Sequence, residues 1–117
     1  MEVSFDTDLG AVLLQEGLPV MYSSRALTAT ERNYAQIEKE LLAIVFAAEK
    51  FDKCIYAHNT QVQSNHKPLE TIFSKPLHTA PKRLQRMLLR LQGYDLHVSY
   101  QRGIEMHIAD MLKGISF

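Results

Sequence analysis

Thr-Ala-Thr-Glu-Arg-Asn-Tyr-Ala-Gln-Ile-Glu-Lys-Glu-Leu-Leu-Ala-Ile-Val-Phe-Ala-Ala-Glu-Lys-Phe, residues 28–51, is the stretch around which the rest of the chain is arranged. Tyr34, Ile37, Leu41, Ile44, Ala48 and Phe51 recur at steps of three and four, which predicts one amphipathic helix with a continuous apolar stripe. Thr28 and Glu31 have the spacing of a capping box, so the helix start is marked too. No Gly or Pro interrupts the run. On a helical wheel Glu40 falls roughly 70° from the middle of the stripe. That position lets a carboxylate look toward a sheet from the rim of the core. Periodicity alone favours the plainer reading, a solvated flank glutamate.

Around this helix the chain reads as strands and shorter helices. Upstream, residues 2–5, 10–15 and 19–24 read as three strands, with a polar turn at Asp6-Thr7-Asp8 and a hairpin turn at Glu16-Gly17. Pro19 suits a strand end or a sheet edge. Downstream, residues 61–64 read as a fourth strand, reached through the long helix and therefore parallel to a neighbour. A short helix is expected over 67–73 and a loop over 74–80. Pro81 opens a further helix whose stripe is Leu84, Met87, Leu88 and Leu91, and Gly93 ends it. Tyr94, Leu96, Val98 and Tyr100 alternate with polar residues, a clear strand pattern. A terminal helix is expected over 104–112. The order predicts an α/β fold, one mixed five-stranded sheet with helices packed on it.

The 117 residues suit a single domain, 1–117, and 46% apolar content is ordinary for a globular chain. Thirteen basic and thirteen acidic residues leave a net charge of zero, so a nucleic-acid site must come from local clustering. The single cysteine, Cys54, excludes an internal disulfide and reads as a small buried thiol. With no signal-peptide pattern and no run long enough to span a membrane, an intracellular setting, cytoplasmic or nuclear, is expected.

Several clusters carry potential chemistry. Asp6 and Asp8 follow the first strand, Ser64-Asn65-His66 ends the fourth, and His107-Ile108-Ala109-Asp110 lies near the C-terminus. Acids at adjacent strand ends, faced by a helix carboxylate such as Glu40, suit Mg²⁺. Two such ions about 3.5–4 Å apart promote phosphodiester hydrolysis. His66 and His107 flank this set and can orient water or a leaving group, although a turn or helix-edge histidine is the simpler reading. Lys82, Arg83, Arg86 and Arg90 make a basic row that can track phosphates or simply be a solvated helix face. Tyr22, Tyr34 and Tyr56 can stack on bases, though scattered tyrosines are more often core or rim.

Six segments occur in an order shared with a known family: 10–15 (Gly-Ala-Val-Leu-Leu-Gln), 24–28 (Ser-Arg-Ala-Leu-Thr), 31–45 (Glu-Arg-Asn-Tyr-Ala-Gln-Ile-Glu-Lys-Glu-Leu-Leu-Ala-Ile-Val), 66–69 (His-Lys-Pro-Leu), 81–86 (Pro-Lys-Arg-Leu-Gln-Arg) and 107–110 (His-Ile-Ala-Asp). Together they resemble the ribonuclease H domain of gypsy-type LTR retrotransposon reverse transcriptases, over nearly the whole chain. The resemblance implies the RNase H-like fold and Mg²⁺- or Mn²⁺-dependent cleavage of RNA in RNA–DNA hybrids. It also implies a polymerase domain in a parent polyprotein. Carried over, the family's four acidic positions fall on Asp6, Glu40, Asn65 and Asp110, with Asp6, Glu40 and Asp110 left as the metal-binding carboxylates.

Two departures stand out. Asn65 replaces an Asp, which keeps a carbonyl oxygen but removes a full negative charge. The segment around Asp6 is about three residues shorter than the family pattern, so Asp8 is an alternative ligand. Together these imply a degenerate site with impaired hydrolysis, as in a decaying retroelement copy. The alternative reading is an inactive nucleic-acid-binding module, or an interaction or dimerisation module using an exposed sheet edge.

Overall fold

The computed structural model describes residues 2–5, 9–64, 67–74 and 76–100. The strands are β1 (Glu2–Phe5), β2 (Gly10–Gln15), β3 (Leu18–Ser24), β4 (Asn59–Ser64) and β5 (Asp95–Tyr100). The helices are α1 (Ala29–Arg32), α2 (Gln36–Lys50), α3 (Asp52–Ile55), α4 (Lys67–Ser74) and α5 (Lys82–Leu91). A short 3₁₀ turn, Leu77–Thr79, lies in the expected loop before α5.

The strands form one mixed sheet in the order β3-β2-β1-β4-β5. β1 and β2 pair antiparallel with Val3 opposite Leu13 and Phe5 opposite Ala11. β2 and β3 form a tight hairpin in which Glu16 (φ +53°) and Gly17 (φ +79°) take the left-handed conformations of a two-residue turn. β1 runs parallel to β4, as the crossover through α2 predicts, and β4 runs parallel to β5. The short connection between β1 and β2 leaves their register whole, since Val3 and Leu13 are partners and both are buried. The chain re-enters β2 through Leu9, a fully buried leucine at φ +60°. A left-handed conformation costs a non-glycine residue roughly 1–2 kcal/mol.

One expectation about the organising stretch is corrected. It is two helices, not one. α1 starts on the predicted capping box, with Thr28 Oγ1 accepting from Glu31 N–H at 3.1 Å and Glu31 Oε1 accepting from Thr28 N–H at 2.9 Å. The chain then breaks at Asn33-Tyr34-Ala35, and Ala35 is extended (φ −60°, ψ 156°). α2 restarts one turn later because Glu38 repeats the role of Glu31, its Oε1 accepting from Ala35 N–H at 2.8 Å. The apolar stripe runs through the break, which is why periodicity does not reveal it.

α2 is the centre of the molecule. Every residue from Glu40 to Ala48 is buried. The helix packs against β1 and β2 on one side and against α4 and α5 on the others, so it is enclosed rather than amphipathic over that span. Leu41, Ile44, Val45 and Phe51 from the stretch meet Val3, Leu13 and Val62 from the sheet and Leu69, Leu84 and Met87 from the flanking helices. Cys54 is half-buried, with its thiol 3.4 Å from the Met21 sulfur. No helix among the described residues is long and apolar enough to cross a membrane.

Candidate active site

The placement of Glu40 follows from chain direction. β3 runs parallel to β1 across β2, since Phe5 pairs with Ala11 and Gly10 with Ser24. The chain therefore leaves β3 at the end of the sheet where β1 finishes. α2 begins there and runs back along the sheet, so its first turns lie at the carboxyl ends of the parallel strands. In open α/β sheets that end is where ligands bind.

Glu40 lies in the second turn of α2 and is 5% exposed. The expectation of a solvated flank is thus corrected: the enclosure of α2 on several sides buries a residue that a single stripe leaves at the rim. Gln36, one turn earlier, donates its side-chain N–H to Glu40 Oε1 at 3.5 Å, a long contact. β1 ends at Phe5 and β4 at Ser64, in parallel register from Val3 opposite Val62. The next residues in sequence are Asp6 and Asn65. Asp6, Asp8, Asn65, His66, His107 and Asp110 all lie outside the described residues, as does the expected terminal helix. Of the four family positions, Glu40 is the one whose surroundings are described. Among the described residues no group of three His, Cys, Asp or Glu side chains forms a metal cluster.

The basic row lies on the exposed side of α5, opposite buried Leu84, Met87, Leu88 and Leu91. It divides into two kinds of residue. Arg83 Nη1 donates to both carboxylate oxygens of Glu38, at 3.0 and 3.2 Å, and its guanidinium lies 4.4 Å from the centroid of the Tyr34 ring. Arg90 is ion-paired with Glu49, near the far end of α2. Lys82 and Arg86 are exposed and have no ion-pair partner among the described residues. Arg83 and Arg90 thus tie α5 to α2, while Lys82 and Arg86 present charge to solvent.

The remaining candidates have ordinary surroundings. Tyr22 and Tyr56 are exposed, and Tyr56 stands edge-on to Tyr94 with centroids 6.2 Å apart. Tyr34 is half-buried beneath Arg83. Tyr94 hydrogen-bonds Asp52, and burial together with that carboxylate pushes its phenol up to about 12. His58, His78 and His97 are exposed, with His97 Nε2 3.1 Å from Asp95. Glu38 was not legible as a site residue. Its signal was the repeat of the capping acid seven residues after Glu31.

The sequence matches the family described as the RNase H-like domain found in reverse transcriptase over residues 2–94. It is 39% identical over 107 residues to the retrovirus-related Pol polyprotein from transposon 297 of Drosophila melanogaster, covering 92% of this chain and 10% of the polyprotein. It is 39% identical over 111 residues to the corresponding polyprotein from transposon 412 of the same fly, covering 92% and 9%. The transposon Tf2-3 polyprotein of Schizosaccharomyces pombe is 30% identical over 119 residues, covering 94% and 9%. The chain spans about a tenth of the length of these curated relatives. Family, sheet order and motif order agree, and the chain belongs to the RNase H-like domain family of reverse transcriptases from gypsy/412-type LTR retrotransposon Pol polyproteins.

Proposed function

We propose that this domain is a weakened RNase H that binds RNA–DNA hybrid and hydrolyses its RNA strand poorly. The observation that carries the reading is the buried carboxylate of Glu40 at the carboxyl end of the parallel strands. A carboxylate at that end of the sheet offers the hard oxygen donors that a divalent cation takes. Asp6, Glu40 and Asp110 would hold Mg²⁺ or Mn²⁺, with Asn65 adding a neutral oxygen. Three carboxylates suffice for one divalent cation and fall short of the charge of two. The bound metal would supply positive charge for the attacking and leaving oxygens of a phosphodiester. Lys82 and Arg86 present the free charge that draws in the phosphate backbone, and Arg83 and Arg90 extend that row while already paired.

Thermal denaturation at millimolar Mg²⁺ and Mn²⁺ tests the metal site: a metal-dependent rise in Tm that Glu40→Gln removes is expected, and no rise in the parent chain contradicts it. In this reading the polymerase of a parent polyprotein is the covalent partner, and the setting is intracellular. One observation favours a second reading, an interaction module. The edge strand β3 exposes Leu18 (68%), Val20, Met21 and Tyr22. Pro19 and the bulge near Leu13 and Leu14 blunt part of that edge. Sedimentation showing a strict monomer at all concentrations removes the dimer form of this reading.

A further inference from the structure

We infer that Arg83 is a positioning residue for Glu40, acting through Glu38 and Tyr34. The inference rests on the proposed reading of Glu40 as a metal ligand. α2 has an unusual start. Its N-cap is Ala35, which has no side chain to cap the helix, so the first turn depends on Glu38 folding back to the Ala35 N–H at 2.8 Å. A carboxylate in that role needs its own orientation held. Arg83 holds it, with contacts of 3.0 and 3.2 Å to its two oxygens. The same guanidinium lies over Tyr34, the residue just before the N-cap, at 4.4 Å. One side chain from α5 thereby clamps both sides of the point where α2 begins.

Glu40 follows Glu38 by two residues, and its Oε1 contact is Gln36, the first residue of the helix. The clamp on the start of α2 thus reaches Glu40 through the helix backbone and through the Gln36 contact at 3.5 Å. Arg90 offers a built-in comparison. It makes an ion pair from the same helix α5 to the same helix α2, but at Glu49, nine residues beyond Glu40. Glu38→Gln and Glu49→Gln each remove one α2–α5 ion pair, and only the first touches the opening turn of α2, which leads directly into Glu40.

The experiment is calorimetric titration of Mn²⁺ into the parent chain, Arg83→Ala, Glu38→Gln and Glu49→Gln. Backbone amide hydrogen exchange at Lys39, Glu40 and Leu41 is measured on the same samples. Arg83→Ala and Glu38→Gln are expected to weaken Mn²⁺ binding about 10-fold, the effect typical of removing a residue that orients a ligand, and to speed exchange at those amides. Glu49→Gln is expected to leave both readouts within about twofold, since its contact lies outside the ligand's supporting shell. Equal effects from Glu49→Gln and Arg83→Ala overturn the inference, because loosening α5 anywhere would then suffice. Unchanged Mn²⁺ affinity in Arg83→Ala overturns it as well. If the parent chain binds no Mn²⁺, the metal-site reading fails and exchange alone decides. Acceleration confined to Arg83→Ala and Glu38→Gln then upholds the clamp on the Glu40 turn, and its absence refutes it.

Discussion

Glu31→Gln isolates one charge at the entry to the central helices. Arg25 donates to both Glu31 oxygens, at 2.7 and 2.9 Å, and Glu31 also caps α1 at the Thr28 N–H. The Arg25 hydrogen bond, helped by the Thr28 N–H, holds the Glu31 carboxyl down at about 2, against an ordinary value of 4.5. At 1.36 kcal/mol per unit this sets a ceiling of about 3 kcal/mol. Arg25 is 39% exposed, so solvent screening brings the expected contribution down to about 1 kcal/mol. Because the folded value is depressed, the contribution is fully present above pH 4.5 and is lost as pH falls toward 2. Glutamine keeps the capping oxygen and loses the charge. Urea unfolding at pH 6 should place Glu31→Gln about 1 kcal/mol below the parent chain. A contribution of about 1 kcal/mol corresponds to an effective shift of about 0.7 unit, so at pH 3.5 most of that gap, roughly three quarters, should be gone. Comparing the two chains at each pH cancels the other carboxylates. A gap that stays constant from pH 6 to pH 3.5 refutes the reasoning, since it assigns the effect to shape or capping rather than to charge.

Three other outcomes are expected. Leu41→Ala removes a fully buried side chain from the centre of α2 and should cost about 2–5 kcal/mol in chemical denaturation. Gly17→Ala places a Cβ at φ +79° in the β2–β3 turn and should destabilise by about 1 kcal/mol through backbone strain, because nothing lies within 4 Å of the added atom. Arg86→Ala should lower the slope of log binding constant against log salt for a hybrid duplex by about 1, measured by fluorescence anisotropy, whereas an unchanged slope removes Arg86 from the phosphate path.

The strands were legible because their patterns are local. The alternation from Asp95 to Tyr100 and the Glu16-Gly17 turn specify β5 and the β2–β3 hairpin without reference to the rest of the chain. The capping box at Thr28 was legible for the same reason. The break after Arg32 was not, because the stripe from Tyr34 to Ile37 continues across it and the extended Ala35 depends on Glu38 reaching back. The burial of Glu40 was hidden for a different reason. A helical wheel reports one apolar face, whereas the number of elements packed around α2 is a property of the tertiary fold. The same holds for the basic row. Spacing groups Lys82, Arg83, Arg86 and Arg90 together, and only the packing of α5 on α2 separates the paired arginines from the exposed charges. Asp6, Asn65 and Asp110 were read through motif order, because strand-end acids are too common for spacing to single them out.

The most direct measurement is cleavage of a labelled RNA–DNA hybrid, first with Mg²⁺ and then with Mn²⁺, by the parent chain, Asn65→Asp and Glu40→Gln. The account predicts slow or absent cutting by the parent chain, a marked gain in Asn65→Asp and none in Glu40→Gln. Robust cutting by the parent chain that survives Glu40→Gln would contradict it.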